Sequence, residues 1–468
     1  MLFYFLVLNL CSGMITIMLN IKHIFFALLL LATLGFAACR FVTPSPLGEK
    51  AEREKAVQAG APFAQPVEKR ALPDLATSAS LPAVLEYAFN ANGTIEAAYR
   101  EWRGALERVP QAGALSDPKI SFDFLFSNQN IKSFSQTFYK TINGMLEQDF
   151  ENYGKREAKA QQALLDAQAA GERFRGEKYK LQKRVAQAYA ALALNNALLD
   201  INAKNLNLLR RMDETASHRY HAMEQNSLVD LRKLEGEILK AESDRRALKI
   251  SSATLSADLN AALNRTATAA WGAVALPEIV RPADTEAALF ERAVQHNPEL
   301  AALKKEIESR GAAQTLAELQ KRPDYNVGIG VEEGYPKLSA GMTLPIYREK
   351  IRAGIAEALA MRQASEAKFR AAHFDVQGRV VIALSGLRDS ERVIADYRER
   401  ILPKTREMID AQMSAYASGG GDLIDILDAQ RLLLDFQTLI ARAESDRLRY
   451  LADLEEALGE DLFDFHTP

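Results

Sequence analysis

Few residues of this chain could do chemistry, and they lie close to two turns between helix-forming segments. Asp425 and Asp428 are three residues apart, a spacing that puts both carboxylates near one face of a helix. His218 and His221 have the same spacing, which can bind a metal ion. No second pair of ligands accompanies them, and the competing interpretation is a pair of solvated histidines at a helix tip. Nucleophile elbow, paired catalytic acids and dinucleotide fingerprint are all missing from the sequence. We therefore expect neither an enzyme nor a cofactor or metal site.

The composition restricts the possible partners. The 468 residues include 58 Lys and Arg against 61 Asp and Glu, which gives a formal net charge of -3. A nucleic-acid surface needs a clustered excess of Lys and Arg, so no nucleic-acid partner is expected. The two cysteines, Cys11 and Cys39, both lie in the first forty residues. A disulfide framework or a cysteine-based zinc site is thereby excluded from the rest of the chain.

The N-terminal residues 1–38 have the features of a bacterial signal peptide. After a weakly basic start, an apolar run extends over Ile24–Leu34. This run is too short for a membrane-spanning helix, which needs about twenty residues. Small residues then lead into Cys39, as expected for a cleaved targeting segment. Met14 and Met18 are alternative start residues, because the first residues lengthen the apolar region beyond the usual pattern.

A candidate lipid anchor follows the apolar run. The stretch Gly35–Cys39 resembles a bacterial lipobox, with Phe36 where Leu is usual. The resemblance implies that Cys39 is acylated, for example with palmitate, and becomes the first residue of the mature protein. The competing interpretation is cleavage near Ala38 by ordinary signal peptidase, which leaves Cys39 unmodified. Residues 39–80 are rich in Pro, Ala and charge, which suits a tether or a segment that wraps another surface.

The remaining chain is predicted to be two copies of one pattern. Matched residues keep two constant shifts: 205 from Asn92 to Asn297 and from Pro118 to Pro323, and 195 from Ser227–Asp230 to Asp422–Asp425. Because two separate runs at constant shift are hard to obtain by chance, we infer an internal duplication. The first repeat covers residues 81–277 and the second covers residues 278–468.

Each repeat is predicted to contain a first helix, a short β region, a very long helix, a polar turn and a return helix. The long helix of the first copy is expected over about Lys155 to His218, where strong helix formers predominate and proline does not occur. At 1.5 Å per residue it would span about 95 Å. Its apolar residues recur at spacings of three and four, which is typical of a coiled-coil seam. In the second copy, Pro403 predicts a kink or a break.

The β regions are predicted to be hairpins at about residues 118–150 and 324–347, with alternating strands. One face carries Ile120, Phe122, Phe124 and Phe126 in the first copy, and Tyr325, Val327, Ile329, Val331, Leu338, Ala340, Met342 and Leu344 in the second. An apolar face opposite small or polar residues suits a barrel with lipid outside and water inside. The competing interpretation is a soluble sheet that packs on the chain's own helices.

The predicted fold class is mainly α with a small β part. Duplicated, long, coiled-coil-like helical hairpins are combined with two β-hairpins, or four strands per chain. Four strands cannot close a barrel of useful bore, and open sheet edges are not tolerated in lipid. The strands are therefore expected to contribute to an oligomeric transmembrane β-barrel.

This arrangement resembles the outer-membrane efflux protein family, the TolC-like channels, over about residues 81–462. The most specific stretch is Tyr416–Gln430, YASGGGDLIDILDAQ, which is similar to the family's periplasmic turn. Gly341–Tyr347 is similar to the passage from strand to helix in that family. The resemblance implies a homotrimer with a twelve-stranded barrel in outer-membrane lipid and a long periplasmic tunnel of helices. It also implies two partners, a periplasmic adaptor protein and an inner-membrane transporter.

The implied function is that of a passive exit duct for small molecules or ions, from the periplasm to the outside. If Cys39 is acylated, the following Arg40 favours sorting to the outer membrane. The rival function is a periplasmic, lipid-anchored coiled-coil adaptor or scaffold. Adaptors normally place one hairpin between Gly-rich lipoyl-like halves, whereas this chain has two hairpins and no such halves. The sequence therefore favours the channel.

The resemblance also implies a gate at the periplasmic turn. Asp425 and Asp428 fall where such channels place acidic rings, and a ring of three like charges attracts cations and raises carboxylate pKa values. Their counterparts in the first copy are Asp230 and Lys233, so that copy is the weaker gate candidate or supplies an ion-pair partner. The competing interpretation is that the three aspartates are solvated first-turn residues favoured by the helix dipole.

A run of three glycines precedes this helix. It lacks the Lys and Ser/Thr of a phosphate loop, and we expect it to form the bend between two helices. It is also a candidate contact for the adaptor protein. The three residues are Gly419, Gly420 and Gly421.

Overall fold

The computed structural model describes residues 44–77, 79–124, 142–221, 227–277, 279, 284–332, 335–418 and 420–462. The predicted signal peptide, residues 1–38, and the candidate anchor Cys39 lie outside these residues. The described helices are long where the sequence predicted long helices. None of them is sufficiently apolar over a sufficient length to cross a bilayer.

The helices and strands follow the same order in both copies. A short helix α1 (Glu49–Ala59) and two 3₁₀ turns precede the first copy. The first copy contains α2 (Leu81–Ala91), α3 (Gly93–Gly113), β1 (Lys119–Phe124), β2 (Ile142–Phe150), α4 (Tyr153–His221) and α5 (Ser227–Ala262). The second contains α6 (Glu286–His296), α7 (Pro298–Leu319), β3 (Asp324–Glu332), β4 (Tyr335–Thr343), α8 (Arg348–Ala395), a π-helix (Asp396–Ile401), α9 (Leu402–Ala417) and α10 (Leu423–Leu458).

The chain divides into two compact units. The first comprises the described residues of Met1–Ala51, Gly104–Asp166 and Ile307–Gln363, and it contains the β-sheet. The second comprises Glu52–Arg103, Ala167–Glu306 and the described part of Ala364–Pro468. It is helical, and it contains the turn that carries Asp425 and Asp428.

The helix α4 has 69 residues, which corresponds to a length of about 100 Å. Its buried side chains include many alanines, among them Ala160, Ala167, Ala186 and Ala190. Small side chains allow neighbouring helices to approach closely, and a helix of this length gains its stability from such packing rather than from propensity alone. The predicted long hairpin is therefore built on a seam of small and aliphatic residues.

The duplication is visible in one pair of buried asparagines. Asn92 separates α2 from α3, where its Nδ2 donates to the Ala262 carbonyl at 2.9 Å and its Oδ1 accepts from the Thr94 amide. Asn297 separates α6 from α7, and its Nδ2 donates to the Ala457 carbonyl at 2.8 Å. The sequence predicted one helix in each place. The structure has two, because the asparagine backbone is extended and its side chain caps the next helix.

The four strands form one antiparallel sheet in the order β1-β2-β3-β4. The register aligns Phe150 with Tyr325 and Tyr325 with Met342, so these three side chains lie on one face. The same alignment collects nearly all apolar strand residues on that face: Ile120, Phe122, Leu146, Phe150, Tyr325, Val327, Ile329, Val331, Leu338, Ala340 and Met342. Gly144 and Gln148 also lie on that face, whereas the apolar residues Met145 and Tyr335 lie on the opposite one.

The apolar face of the sheet is exposed. Ile120 is 67% exposed, Phe122 64% and Leu338 77%. The competing interpretation of a soluble sheet required the chain's own helices to cover these residues, and they do not. The opposite face is polar, with ion pairs between Lys119 and Asp149 at 2.7 Å and between Lys337 and Glu332 at 2.8 Å. This amphipathic sheet matches a lipid-facing and a water-facing side.

The segment before α2 packs on the helices of the second unit. Phe63 is buried and contacts the Tyr99 ring at a centroid distance of 5.1 Å. Arg70 is also nearly buried and donates to Glu96 at 2.7 Å and to the Asn90 carbonyl at 2.7 Å. The hydrogen bond from Arg70 lowers the pKa of Glu96 below its ordinary value. Of the two options for residues 39–80, these contacts favour the wrapping segment.

Pro403 lies where a break was expected, and the structure accommodates it with a π-helix. Pro403 has no amide hydrogen for the Glu399 carbonyl, which an α-helix would require. The amide of Leu402 donates to Tyr397 instead, five residues back. A wide turn of this kind absorbs one extra residue without ending the helix. The chain therefore continues into α9.

We predict that Asn297→Ala lowers the free energy of unfolding by about 2 kcal/mol, because the change removes a helix cap and leaves the buried Ala457 carbonyl without its donor. Asn92→Ala should have a similar effect. Denaturant unfolding of the purified full-length protein, followed by circular dichroism, measures both. The exposed Asn207→Ala is the matched control, and its free energy should stay within about 0.5 kcal/mol of the wild type. Equal unfolding midpoints for Asn297→Ala and Asn207→Ala would contradict the capping role of Asn297.

Candidate functional site

The candidate site is the turn between α9 and α10. Asp422 caps α10, and its side chain accepts a hydrogen bond from the Ile424 amide at 3.0 Å. The Gly420 amide donates to the Ala415 carbonyl at 3.0 Å and closes the turn. A Cβ built on Gly421 would lie 2.9 Å from the Tyr416 nitrogen. This close backbone approach explains why glycine occupies that position.

Of the predicted glycine run, Gly419 lies outside the described residues. Gly420 and Gly421 form the bend between the two helices, as expected. The adaptor contact assigned to this run stays a prediction.

The two aspartates of α10 that sequence analysis proposed for a gate are exposed, but they have different surroundings. Asp428 forms an ion pair with Arg431, whose Nη1 donates to the Asp428 carboxylate at 3.1 Å. Within the described part of the chain, Asp425 has no ion-pair or hydrogen-bond partner for its carboxylate. Because a nearby cation screens a carboxylate, Asp425 contributes more negative potential at the surface than Asp428 does.

Arg431 also connects the two hairpins. Its Nη2 donates to the Glu237 carboxylate on α5 at 2.6 Å. The hydrogen bond that Arg431 donates to Glu237 raises the pKa of Arg431 above its ordinary value, so the guanidinium is charged at any physiological pH. For the first copy, with Lys233 at the position of Asp428, sequence analysis left open a weaker gate or an ion-pair partner. Within the described chain Asp428 pairs with Arg431, and the first copy supplies Glu237 as a second partner of Arg431.

Asp230 lies at the corresponding turn of the first hairpin, at the start of α5. It is half-buried, and its Oδ2 accepts a hydrogen bond from the buried Tyr416 hydroxyl at 3.1 Å. A second contact between the hairpins runs from Gln430 on α10 to the Asn205 amide oxygen on α4. Asp230 therefore holds the turn of one hairpin against the other, whereas Asp425 faces away from such contacts.

A hydrophobic cluster lies beneath these polar contacts. It is formed by α4, α5, α9 and α10 together, and its buried members include Leu209, Met212, Leu234, Tyr416, Leu423 and Ile426. Such a cluster fixes the helix ends in one arrangement. The packed cluster therefore holds the helix ends in place, so that Tyr416 stays within reach of Asp230 and Arg431 within reach of Glu237.

Sequence reasoning missed three residues of this arrangement: Tyr416, Arg431 and Glu237. The spacing of three between Asp428 and Arg431 is a signal for their ion pair. No comparable signal exists for Arg431 and Glu237, which are 194 residues apart. For the histidine pair, no group of three or more metal-binding side chains exists within the described ranges.

These features define a class of protein. A β-sheet with one exposed apolar face and one polar face, joined to two long helical hairpins, is the fold of an outer-membrane channel subunit.

The comparisons with known proteins agree with this class. Residues 289–460 match the family described as outer membrane efflux protein. The cobalt-zinc-cadmium resistance protein CzcC of Cupriavidus metallidurans is 21% identical over 389 residues, which cover 80% of this chain and 86% of CzcC. The pyoverdine export outer membrane protein OpmQ of Pseudomonas putida is 25% identical over 474 residues, covering 92% of this chain and 96% of OpmQ.

A solved structure shows the same fold. The outer membrane protein VceC of Vibrio cholerae superposes with a TM-score of 0.68 at 18% sequence identity, covering 82% of this chain and 96% of VceC. The family match over residues 289–460 and these relatives together support an outer-membrane efflux protein that acts as the channel subunit of an efflux pump. Its homologues are channel proteins with a long periplasmic extension. The rival adaptor function is therefore set aside.

We predict that Tyr416→Phe loosens the turn between α9 and α10. The change removes one hydroxyl and its bond to Asp230 while keeping the buried ring in place. Backbone amides near the turn should exchange with solvent about tenfold faster, which corresponds to the loss of about 1.4 kcal/mol of local stability. Hydrogen exchange followed by mass spectrometry measures this effect. Tyr347→Phe, at an exposed tyrosine, is the control, and identical exchange in the two variants would refute the role of the Tyr416 hydroxyl.

Proposed function

We propose that three copies of this chain close one barrel and form a passive exit duct for small molecules or ions. Each copy contributes four strands, so three copies contribute twelve. The amphipathic register of the sheet supports this proposal, because it provides an apolar outer surface and a polar lining. TolC-like efflux channels are trimers, and this chain has the same order of strands and hairpins.

The two edges of the sheet are a second support. In the described chain β1 and β4 each pair on one side only. Backbone amides and carbonyls left without partners are costly in lipid, where water cannot satisfy them. Pairing β4 of one copy with β1 of the next removes both edges. Strands β2, β3 and β4 have nine residues each, close to the length needed to cross a bilayer at a tilt.

The partners follow from the family. TolC-like channels work with adaptor proteins and inner-membrane transporters, and we assign the same two kinds of partner to this chain. The turns of the helical hairpins are the surfaces that an adaptor would contact, with Gly420 and Gly421 at one of them. The names of CzcC and OpmQ refer to metal ions and to pyoverdine respectively. Relatives with such different cargo support a duct whose substrate is selected by the transporter.

We further propose that the turn of the second hairpin is the periplasmic gate. Three copies of Asp425 would form a ring of like charge that attracts cations. Asp428 adds less to this ring, because Arg431 pairs with it. Asp230 acts differently: through Tyr416 it holds the hairpins in the closed arrangement. Opening requires that this bond and the ion pair between Arg431 and Glu237 break.

Planar-bilayer recordings of the purified full-length protein test the duct and its gate together. The wild type should conduct ions, and a trivalent cation such as La³⁺ added to the periplasmic side should block the current. Asp425→Asn should weaken the block by about tenfold or more, because it removes three charges from the ring. Asp428→Asn should weaken it less, since that charge is already paired with Arg431.

Asp258→Asn serves as the control, because Asp258 is an exposed carboxylate that pairs with Arg184 elsewhere in the helical unit. Its block should equal that of the wild type. Absence of any conductance would end the proposal of a duct. Conductance with the same block in Asp425→Asn would remove only the gate assignment.

Acylation of Cys39 is part of the proposed function as well. Pro44, the first described residue, lies beside the end of α3, since a Cβ on Gly113 would be 3.0 Å from the Pro44 carbonyl oxygen. The five residues from Cys39 to Pro44 reach at most about 17 Å, and β1 begins six residues after Gly113. A lipid on Cys39 would thus lie close to the entry of the sheet into the membrane. Intact-mass analysis of the mature protein should show a diacylglyceryl adduct and palmitate, absent from Cys39→Ser; an unmodified N-terminus would refute the anchor.

A further inference from the structure

Four exposed cations mark one end of the sheet. Lys321 and Arg322 precede β3, and Arg348 and Lys350 follow β4. The register pairs Asp324 with Thr343, so the entry to β3 and the exit from β4 lie at the same end. None of the four cations forms an ion pair within the described ranges of the chain.

Most other charges at this end are neutralised inside the chain. The ammonium group of Lys155 pairs with Asp324 at 2.8 Å, and Lys159 pairs with Glu151 at 2.7 Å. Arg352 pairs with Glu349. Two exposed acids at this end, Asp117 and Glu157, have no partner in the described chain and partly offset the charge of the four cations. Glu318, which accepts a hydrogen bond from Gln314, is a third exposed acid at this end, so the four cations still outnumber the exposed acids.

Aromatic side chains lie next to these cations. Phe150 and Tyr325 are directly opposite each other on the apolar face, at the end of the sheet where the strands connect to the helices. Tyr153 is 54% exposed and Tyr347 is 74% exposed. Aromatic girdles of this kind occur where membrane strands pass from hydrocarbon to headgroups. The cations therefore lie at the level of the headgroups, if the apolar face contacts lipid.

Arg322 is placed beside this girdle by its surroundings. Its amide donates to the Leu319 carbonyl at 2.9 Å. Its guanidinium Nη1 would be 3.6 Å from a Cβ on Gly154, the residue after Tyr153. Arg348 follows Tyr347 directly in the chain. Long cationic side chains next to aromatic residues reach toward headgroups while their methylene groups stay on the apolar surface.

We propose that Lys321, Arg322, Arg348 and Lys350 bind the phosphate groups of anionic phospholipids in the leaflet that faces the periplasm. The inference rests on the proposed function in one respect, the insertion of the apolar face into the bilayer. Guanidinium and ammonium groups form charge-assisted hydrogen bonds with phosphate, and an anionic leaflet attracts clustered Lys and Arg. Three copies would present twelve such cations around the barrel.

The test uses full-length protein in vesicles of phosphatidylethanolamine and phosphatidylglycerol at about three to one, with trace spin-labelled lipid. The motionally restricted signal reports the lipids in contact with the protein. The wild type should prefer spin-labelled phosphatidylglycerol over spin-labelled phosphatidylcholine by about threefold, since clustered cations attract the anionic headgroup. The variant with Lys321, Arg322, Arg348 and Lys350 changed to Gln should show a preference close to one.

A control variant removes the same charge from exposed cations of α5. It carries Gln at Lys233, Arg245, Arg246 and Lys249, and it should keep the wild-type preference. The charge-conserving pair Arg322→Lys and Arg348→Lys should keep most of it. Inorganic phosphate should compete no better than chloride at equal ionic strength; selective competition would point to a free-phosphate site and overturn the lipid assignment.

Conductance of the same vesicles separates the two proposals. A wild-type protein that conducts but shows no lipid preference overturns this inference alone. The same conclusion follows if the variant with all four cations changed to Gln conducts and keeps the wild-type preference for phosphatidylglycerol. A protein that neither inserts nor conducts would overturn the proposed function first.

Discussion

The requirement that backbone hydrogen bonds be satisfied in lipid determines most of what this chain must do. Over the residues that the structure describes, its sheet has four strands, one exposed apolar face and two edges that pair on one side only. In water such an edge can be solvated, whereas in hydrocarbon it cannot. A single copy is therefore incomplete as a membrane structure, and assembly is part of its folding. The even number of antiparallel strands also brings all four helix connections to one end of the sheet.

Duplication gives the two halves the same framework but not the same turn. Asn92 and Asn297 make equivalent bonds, to Ala262 and Ala457 respectively. Asp230 and Asp425 are equivalent by the same shift, yet one is bound by Tyr416 and the other has no partner in the described chain. The duplicated aspartate is thus used differently in the two copies, as a contact between the hairpins in one and as an exposed carboxylate in the other.

The sequence was sufficient for features that repeat or alternate, and insufficient for contacts between distant residues. Period-two alternation predicted the apolar face of β3, and proline-free helix formers predicted α4. The split at Asn297 was missed, since an asparagine inside an amphipathic pattern carries no periodic signal. At Pro403 the sequence predicted a kink or a break, and it gave no sign of the π-helix that precedes this residue. The pair of Arg431 and Glu237 could not be predicted, because both are ordinary surface charges until the two hairpins meet.

Composition alone also concealed the distribution of charge. A net charge of -3 over 468 residues suggests a surface without strong fields. In the structure, Lys321 and Arg322 are brought to the same end of the sheet as Arg348, which is 26 residues further along the chain. The exposed acid Asp425, in contrast, belongs to the helical unit. A near-neutral chain can thus carry exposed cations at one end of its sheet and exposed carboxylates in its helical unit, because secondary structure sorts charges that the sequence intermixes.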